Sequence, residues 1–167
     1  MNIEKAKAAY SFLINSVRTV VLGTVNSEAM PHVSYAPFVM DKDKNIYIFV
    51  SKLSPHTFNL QANARASVML IEDENKSKQI FARRRITYSC HATLIDKNSP
   101  ESDDIANKFE KKFGNLIYIF RNLPDFNIMK FTPQSGLFII DFGAAYKIYS
   151  NDLNHLIQVT EGGQDEQ

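Results

Sequence analysis

A chain of 167 residues is long enough for one domain with a substantial core and short for two. Apolar residues at 44% and charged residues at 22% are globular proportions, which set aside disordered, collagen-like and disulfide-scaffold architectures. The basic and acidic residues nearly cancel to a formal charge of +1, too little for a surface built to neutralise nucleic-acid phosphates.

Ile3, Ala6, Tyr10, Leu13, Ile14 and Val17 recur at spacings of three and four, which predicts an amphipathic helix ending near Arg18. Thr19 to Val25 is β-branched and is followed by the polar turn Asn26-Ser27-Glu28; His32 to Met40 resumes an extended pattern, so the two read as a hairpin. Pro37 lacks an amide donor and puts the second strand on an edge or at a bulge. Beyond the turn Asp41 to Asn45, the unbroken apolar run Ile46 to Val50 predicts a strand buried on both faces. Ser54 and Pro55 open a short helix, with Phe58, Leu60 and Ala62 as its expected buried face and Asn63 beyond its end. Ala66 to Ile71 is the next strand, Glu72 to Lys78 a charged loop, and Ile80 to Ile95 one long, bent strand.

Ser99-Pro100 followed by acids opens a second long helix that Gly114 stops, with a shorter helix through Phe120. Strands Asn127 to Thr132, Leu137 to Phe142 and Ala144 to Tyr149 follow, broken by Thr132 to Gly136 and by Gly143. Many strands on short turns with few helices predict a mainly β (α+β) fold, a small closed or split β-barrel with peripheral helices. Residues 1–160 are expected to form one domain and 161–167 a flexible tail. A single cysteine, Cys90, excludes an internal disulfide, and without an export-like leader or a bilayer-length apolar run the expected setting is cytoplasmic and not membrane-spanning.

Arg83-Arg84-Arg85 sits within the expected long strand, so alternation puts Arg83 and Arg85 on one face. A basic edge strand that discourages aggregation and an anion or carboxylate site both fit. His32, His56, His91 and His155 show no zinc-ligand spacing, and each reads as structural unless it serves as the single ligand that haem iron requires. Cys90, flanked by Ser89 and His91 on the opposite strand face, reads as an inert thiol, and Asp125 after Pro124 as a turn residue. No nucleophile elbow or glycine-rich phosphate loop is present.

Pro31 to Phe38 (PHVSYAPF), Ser54 to Leu60 (SPHTFNL), Ser67 to Asp73 (SVMLIED), Lys78 to Thr87 (KQIFARRRIT) and Gly136 to Tyr146 (GLFIIDFGAAY) together resemble the pyridoxamine phosphate oxidase-like, FMN-binding split-barrel superfamily. Within it they are most similar to the haem-utilisation branch of the HugZ/HutZ type. The resemblance implies a homodimer with cofactor sites at the subunit interface. In flavin-using members cations hold the FMN phosphate at positions that fall here on Ser34, His56 and Phe58, and Ser51 and Lys52 replace only part of that clamp. In the haem branch the associated positions fall on Thr19, His56, Arg85 and Asp125, all of matching type. Arg85 and Asp125 are the candidate catalytic residues, and Thr19, Ser51, Lys52, His56 and Arg85 the candidate cofactor contacts. The branch's iron-ligating tail histidine falls at Gly163, in Glu161-Gly162-Gly163, which leaves His155 as the candidate substitute. The implied functions are haem binding with oxygen-dependent degradation, haem storage or delivery, an FMN-dependent oxidoreductase on the same scaffold, or a cofactor-free dimer.

Overall fold

The computed structural model describes residues 2–159. Its elements are α1 (Ile3–Ser16), β1 (Thr19–Val25), β2 (Pro31–Pro37), β3 (Val39–Met40), β4 (Ile46–Ser51), α2 (Pro55–Ala62), β5 (Arg65–Ile71), β6 (Arg85–Leu94), α3 (Pro100–Phe113), α4 (Leu116–Asn122), β7 (Phe126–Asp141), β8 (Ala144–Tyr149) and β9 (Asp152–Gln158). Local chemistry sets many of these limits. The Ser99 hydroxyl accepts from the Ser102 amide at the start of α3, and Gly114, at φ +84°, ends that helix. Asn26 accepts from the amides of Glu28 and Met30, each at 2.9 Å, and so closes the β1–β2 hairpin.

The strands form one antiparallel sheet in the order β2-β1-β5-β6-β7-β4-β3, with β8 added to β7 and β9 to β8. The 16-residue β7 makes the sheet divide. Its first part, from Phe126 to Phe131, pairs with β4; its second, from Ser135 onward, pairs with β8; β6 lies along both. Between them the register shifts, for Ser89 pairs with Ser135 while Cys90 pairs with Pro133, leaving Gln134 as the extra residue of a bulge. The sheet curls until β2 packs against β4. The described residues form a mainly β split barrel with four α-helices.

Two apolar clusters fill the two sides of β4. Ile46, Ile48 and Val50 face the barrel interior, with Leu22, Val68, Tyr88, Phe131 and Phe138 from the sheet and Ala6, Tyr10 and Leu13 from α1. Tyr47 faces the other way and packs with Ile105, Ala106 and Phe109 of α3 and Ile117 of α4. The double burial expected of IYIFV follows from this position between two cores.

Several expectations need correction. The 32–40 run is not one strand: β2 stops at Pro37, and Val39–Met40 crosses to pair with β4. Pro37 nevertheless lies where its missing amide is tolerated, since β2 is an edge strand. The segment from Ile80 to Arg84 is not strand. Ile80–Ala82 makes a 3₁₀ turn, the Glu72 amide donates to the Arg84 carbonyl, and the Arg83 guanidinium donates to the Glu72 carbonyl at 2.7 Å. These bonds fold the connection back on itself, so strand alternation begins only at Arg85. Thr132 to Gly136 bends β7 without breaking it, because β6 pairs continuously past the bulge. Helix α2 buries His56, Thr57, Asn59 and Leu60 and leaves both Phe58 and Ala62 exposed, so only Leu60 of the expected face is buried. Strand β9 was not anticipated, and the expected tail 161–167 with Gly163 lies outside the described residues.

Candidate functional site

The loop from β4 into α2 gathers one group of candidate residues. The Ser51 carbonyl accepts from the Thr57 hydroxyl at 2.6 Å and from the Ser54 amide at 3.1 Å, which winds the first turn of α2 around it. Next to it the Lys52 amide donates to the Asp125 carbonyl at 3.3 Å, so Asp125, just ahead of β7, is held beside Ser51 and Lys52. His56 projects from the same turn onto the inner side of β2, where its Nδ1 lies 3.1 Å from the Ser34 hydroxyl. One helical turn on, the Asn59 amide donates to the Thr24 hydroxyl, which in turn reaches the His32 carbonyl.

The His56 ring is 8% exposed, yet its Nε2 meets no hydrogen-bond partner among the described residues, and neither does Nδ1 of the neighbouring His32. Burial, with the His32 ring as a second cause, holds the His56 imidazole below its usual range, so it is neutral at pH 7. A buried, neutral imidazole with one free nitrogen is suited to contacting a ligand rather than to carrying charge.

Thr19 and Arg85 belong to a different surface, the outer face of the sheet. Along β1, Thr19 shares its side with Val21 and Gly23, opposite the buried Val20 and Leu22. Cross-strand pairing carries that face from Val21 to Met69, Thr87 and Leu137, and Arg85 follows one pleat away, paired with Ile71 and Ile139. The Arg85 guanidinium donates to the Arg83 carbonyl at 2.9 Å, and no carboxylate pairs with it among the described residues. Arg83 and Arg84 are engaged by Glu74 and Glu72, consistent with a structural role.

The same outer face carries an open trough. Gly23, Ser67, Ser89 and Ser135 lie side by side on successive strands, between Val33 and Tyr149. A cavity of about 820 Å³ opens over Gly23, Ser67 and Ser89, with His32, Arg65 and His91 at its end. A second, of about 630 Å³, continues past Ser89 to Leu137, Lys147 and Tyr149. Volumes of this size suit small-molecule and cofactor sites. No sequence window exposes the trough, because its members are brought together only by register.

One chain therefore brings Ser51, Lys52, His56 and Asp125 together and leaves Thr19 and Arg85 apart from them. Arg85 pairs with Ile139 and Asp125 precedes Phe126, so about 43 Å of strand contour lies between the two positions along β7. His155 joins neither group. It is exposed on β9, beside Tyr149, Asp152 and Ile157 around a hollow of about 350 Å³. Cys90 is buried, and burial pushes its thiol up to about 12, in agreement with an inert reading. No helix of the described residues is long and apolar enough to cross a membrane, and no cluster of metal-ligating side chains is found among them.

Residues 6–139 match the family model for pyridoxamine 5'-phosphate oxidase. The chain is 34% identical over 145 residues to heme oxygenase HutZ of Vibrio cholerae serotype O1 (strain ATCC 39315 / El Tor Inaba N16961), which covers 87% of this chain and 82% of that protein. A crystal structure of HutZ, described as the heme storage protein of Vibrio cholerae, superposes with a TM-score of 0.72 at 31% identity, covering 75% of this chain and 88% of the other. Campylobacter jejuni ChuZ superposes with a TM-score of 0.85 at 28% identity over 100% of this chain and 67% of its own.

Proposed function

The chain belongs to the pyridoxamine 5'-phosphate oxidase family, and on that premise we propose that it binds haem at a site shared by two copies of the chain and presents it for oxygen-dependent breakdown. The observation that carries the choice of haem over FMN is the Ser34–His56 contact. These are two of the positions where flavin-using members are expected to hold phosphate with cations, and here a hydroxyl and a neutral imidazole engage each other instead. Phe58, the third, is exposed and apolar. A phosphate clamp that has lost charge-assisted bonds, each worth about 1.5–3 kcal/mol, holds FMN weakly. The names of the similar proteins, a heme oxygenase and a heme storage protein, support the same reading.

In this reading the two groups of residues meet across a homodimer: Thr19 and Arg85 from one copy face Ser51, Lys52, His56 and Asp125 from the other. Arg85 suits a propionate carboxylate because its planar fork donates in pairs, and Lys52 supplies a second cation. The free Nε2 of His56 contacts the ligand from a neutral ring. His155 is the proposed iron ligand, since a single imidazole suffices to hold haem. Bound haem would supply a redox iron and the macrocycle that is itself oxidised, while the protein fixes orientation and polarity.

Haemin titration of the purified protein, followed in the ultraviolet–visible spectrum, tests the proposal. A saturable Soret band at one haem per chain is expected, with bile pigment appearing once a reductant and oxygen are added. Arg85→Ala is expected to weaken binding about tenfold or more, the loss of one charge-assisted contact, and His155→Ala to shift the Soret band. A flavin that copurifies and is not displaced by haemin would overturn the haem reading. Saturable binding without pigment would reduce it to storage or delivery.

A further inference from the structure

Of the buried side-chain nitrogen and oxygen atoms among the described residues, three meet no hydrogen-bond partner: Nδ1 of His32, Nε2 of His56 and the Tyr146 hydroxyl. Two of these belong to neighbouring rings, and the fold explains how the rings meet. Thr24, on the buried side of β1, pairs with His32 across the hairpin, so the His32 side chain lies on the inner side of β2, as does that of Ser34 two residues on. From α2, His56 reaches Ser34, and Asn59, one turn later, reaches Thr24. These two bonds lay the helix along the hairpin and set the His56 ring beside that of His32, close enough for His32 to disfavour a proton on it.

The proton positions decide what such a pair can hold. The Ser34 hydroxyl lies 3.1 Å from Nδ1 of His56; when Nδ1 carries the proton and donates to it, Nε2 presents a bare lone pair. A proton on either orphaned nitrogen would let it donate to the other, and no hydrogen bond joins the rings. Two buried acceptors side by side are satisfied together by a cation, and imidazole nitrogen is a common ligand of copper and zinc. Charge selects between those metals. No carboxylate acts on the His56 ring, and no group of three or more His, Cys, Asp or Glu side chains that could hold a metal occurs among the described residues, so the donors are two neutral imidazoles. The cost of burying an ion rises with the square of its charge, which makes a dication with no anion beside it far less stable here than a monocation. A closed-shell monovalent ion also accepts two ligands in line, whereas zinc sites draw three or four ligands from the protein.

We infer that His32 and His56 form a two-imidazole site for a soft monovalent cation, Cu(I), held between Nδ1 of the first and Nε2 of the second, with Ser34 fixing the His56 tautomer. The inference goes beyond haem binding and does not rest on it. A cation on Nε2 takes the nitrogen assigned above to the haem, so the two are alternative occupants of His56.

Anaerobic competition for Cu(I) against the chromophoric chelator bicinchoninate tests the site, in a Cys90→Ala background because Cys90 is the one thiol of the chain. The expected result is one Cu(I) per chain, with two nitrogen neighbours and no sulfur in the copper X-ray absorption spectrum. His32→Leu removes a ligand and is expected to weaken binding by more than the roughly 10–100-fold that loss of an outer partner costs; Ser34→Ala removes only the outer partner and should fall within that range, and Ser34→Thr should restore affinity. Circular dichroism checks the fold of each variant. Should His32→Leu fail to fold, ¹⁵N spectra of the wild-type imidazoles at one equivalent of Ag(I), a redox-inert ion of the same charge, answer the same question: the His32 and His56 signals are expected to shift together while those of His91 and His155 stay in place, and the reverse pattern would overturn the site. Sulfur neighbours, binding indifferent to His32→Leu, Zn(II) held as tightly as Cu(I), or no binding at all, as when a water alone serves both nitrogens, would also overturn it. The two readings fail separately. Cu(I) binding in a chain that takes no haemin sinks the haem assignment alone, and haem binding in a chain that takes no Cu(I) sinks the two-imidazole site alone.

Discussion

Gly136 is the point where the two parts of β7 could least accept a larger side chain, and Gly136→Ala gives a clean test of the packing described above. A Cβ at that position would lie 2.8 Å from Cδ1 and 3.1 Å from Cε1 of Tyr88, and 3.3 Å from Cδ1 of Ile148, all inside the 3.4 Å limit of ordinary contact. Tyr88 cannot easily yield. It is fully buried, lies in the strand directly paired with Gly136, and its hydroxyl is bonded to that of Tyr10, which also donates to the Leu153 carbonyl at 2.8 Å. Overpacking of this kind costs about 1–3 kcal/mol, and the stiffer unfolded chain of an alanine variant returns about 0.4–1 kcal/mol. The net loss expected is about 1–2 kcal/mol. In urea this moves the midpoint down by about 0.5–1 M, and it lowers Tm by about 2–8 °C for a chain of this length, at fixed protein concentration. The assay is equilibrium unfolding of the wild type, Gly136→Ala, Tyr88→Leu and the double variant. Because the clash is with the ring, the cost of Gly136→Ala should shrink in the Tyr88→Leu background. A wild-type midpoint for Gly136→Ala, or an equal cost in both backgrounds, would refute the reasoning.

Two further outcomes follow from buried polar groups. His56 has a folded-state pKa below its free value of 6.5, so the unfolded chain takes up the proton first as pH falls. Its contribution is complete above about pH 6.5 and is lost as pH drops through the lower folded-state value, and His56→Gln should flatten that part of the stability–pH curve; an unchanged slope would remove His56 as its source. Tyr10→Phe leaves the Tyr88 hydroxyl and the Leu153 carbonyl without a shared partner, at a cost of about 1–3 kcal/mol. Since Leu153 lies in β9, hydrogen exchange of the amides in 152–158 should quicken in that variant, and unchanged protection there would show that α1 does not hold β9.

How much of the molecule is legible from sequence depends on how far each signal reaches. The limits of β1 and β8 coincide with the β-branched and apolar runs that mark them, and α3 begins and ends at Ser99 and Gly114 as its caps require. All of these are decided by groups a few residues apart. Helix α2 shows the other case. Ser54-Pro55 places its start correctly, but the identity of its buried face depends on β2, whose Ser34 draws His56 inward and leaves Phe58 outside. Likewise the three arginines look alike in sequence; the fold separates them, because Glu72 and Glu74 hold Arg83 and Arg84 while Arg85 enters the sheet.

By itself the sequence determined the mainly β character, the helix starts and turns, and the family resemblance that singled out Thr19, His56, Arg85 and Asp125. Caps, turns and alternation are short-range effects, written in neighbouring residues. Only the tertiary structure decided that β7 runs unbroken through a bulge at Gln134, that β9 exists, and that the candidate residues fall into two groups with His155 apart from both. Those features are set by register and by packing between distant segments, where the energy of a whole strand pairing outweighs the local preference of a Pro, Gly or Ser within it.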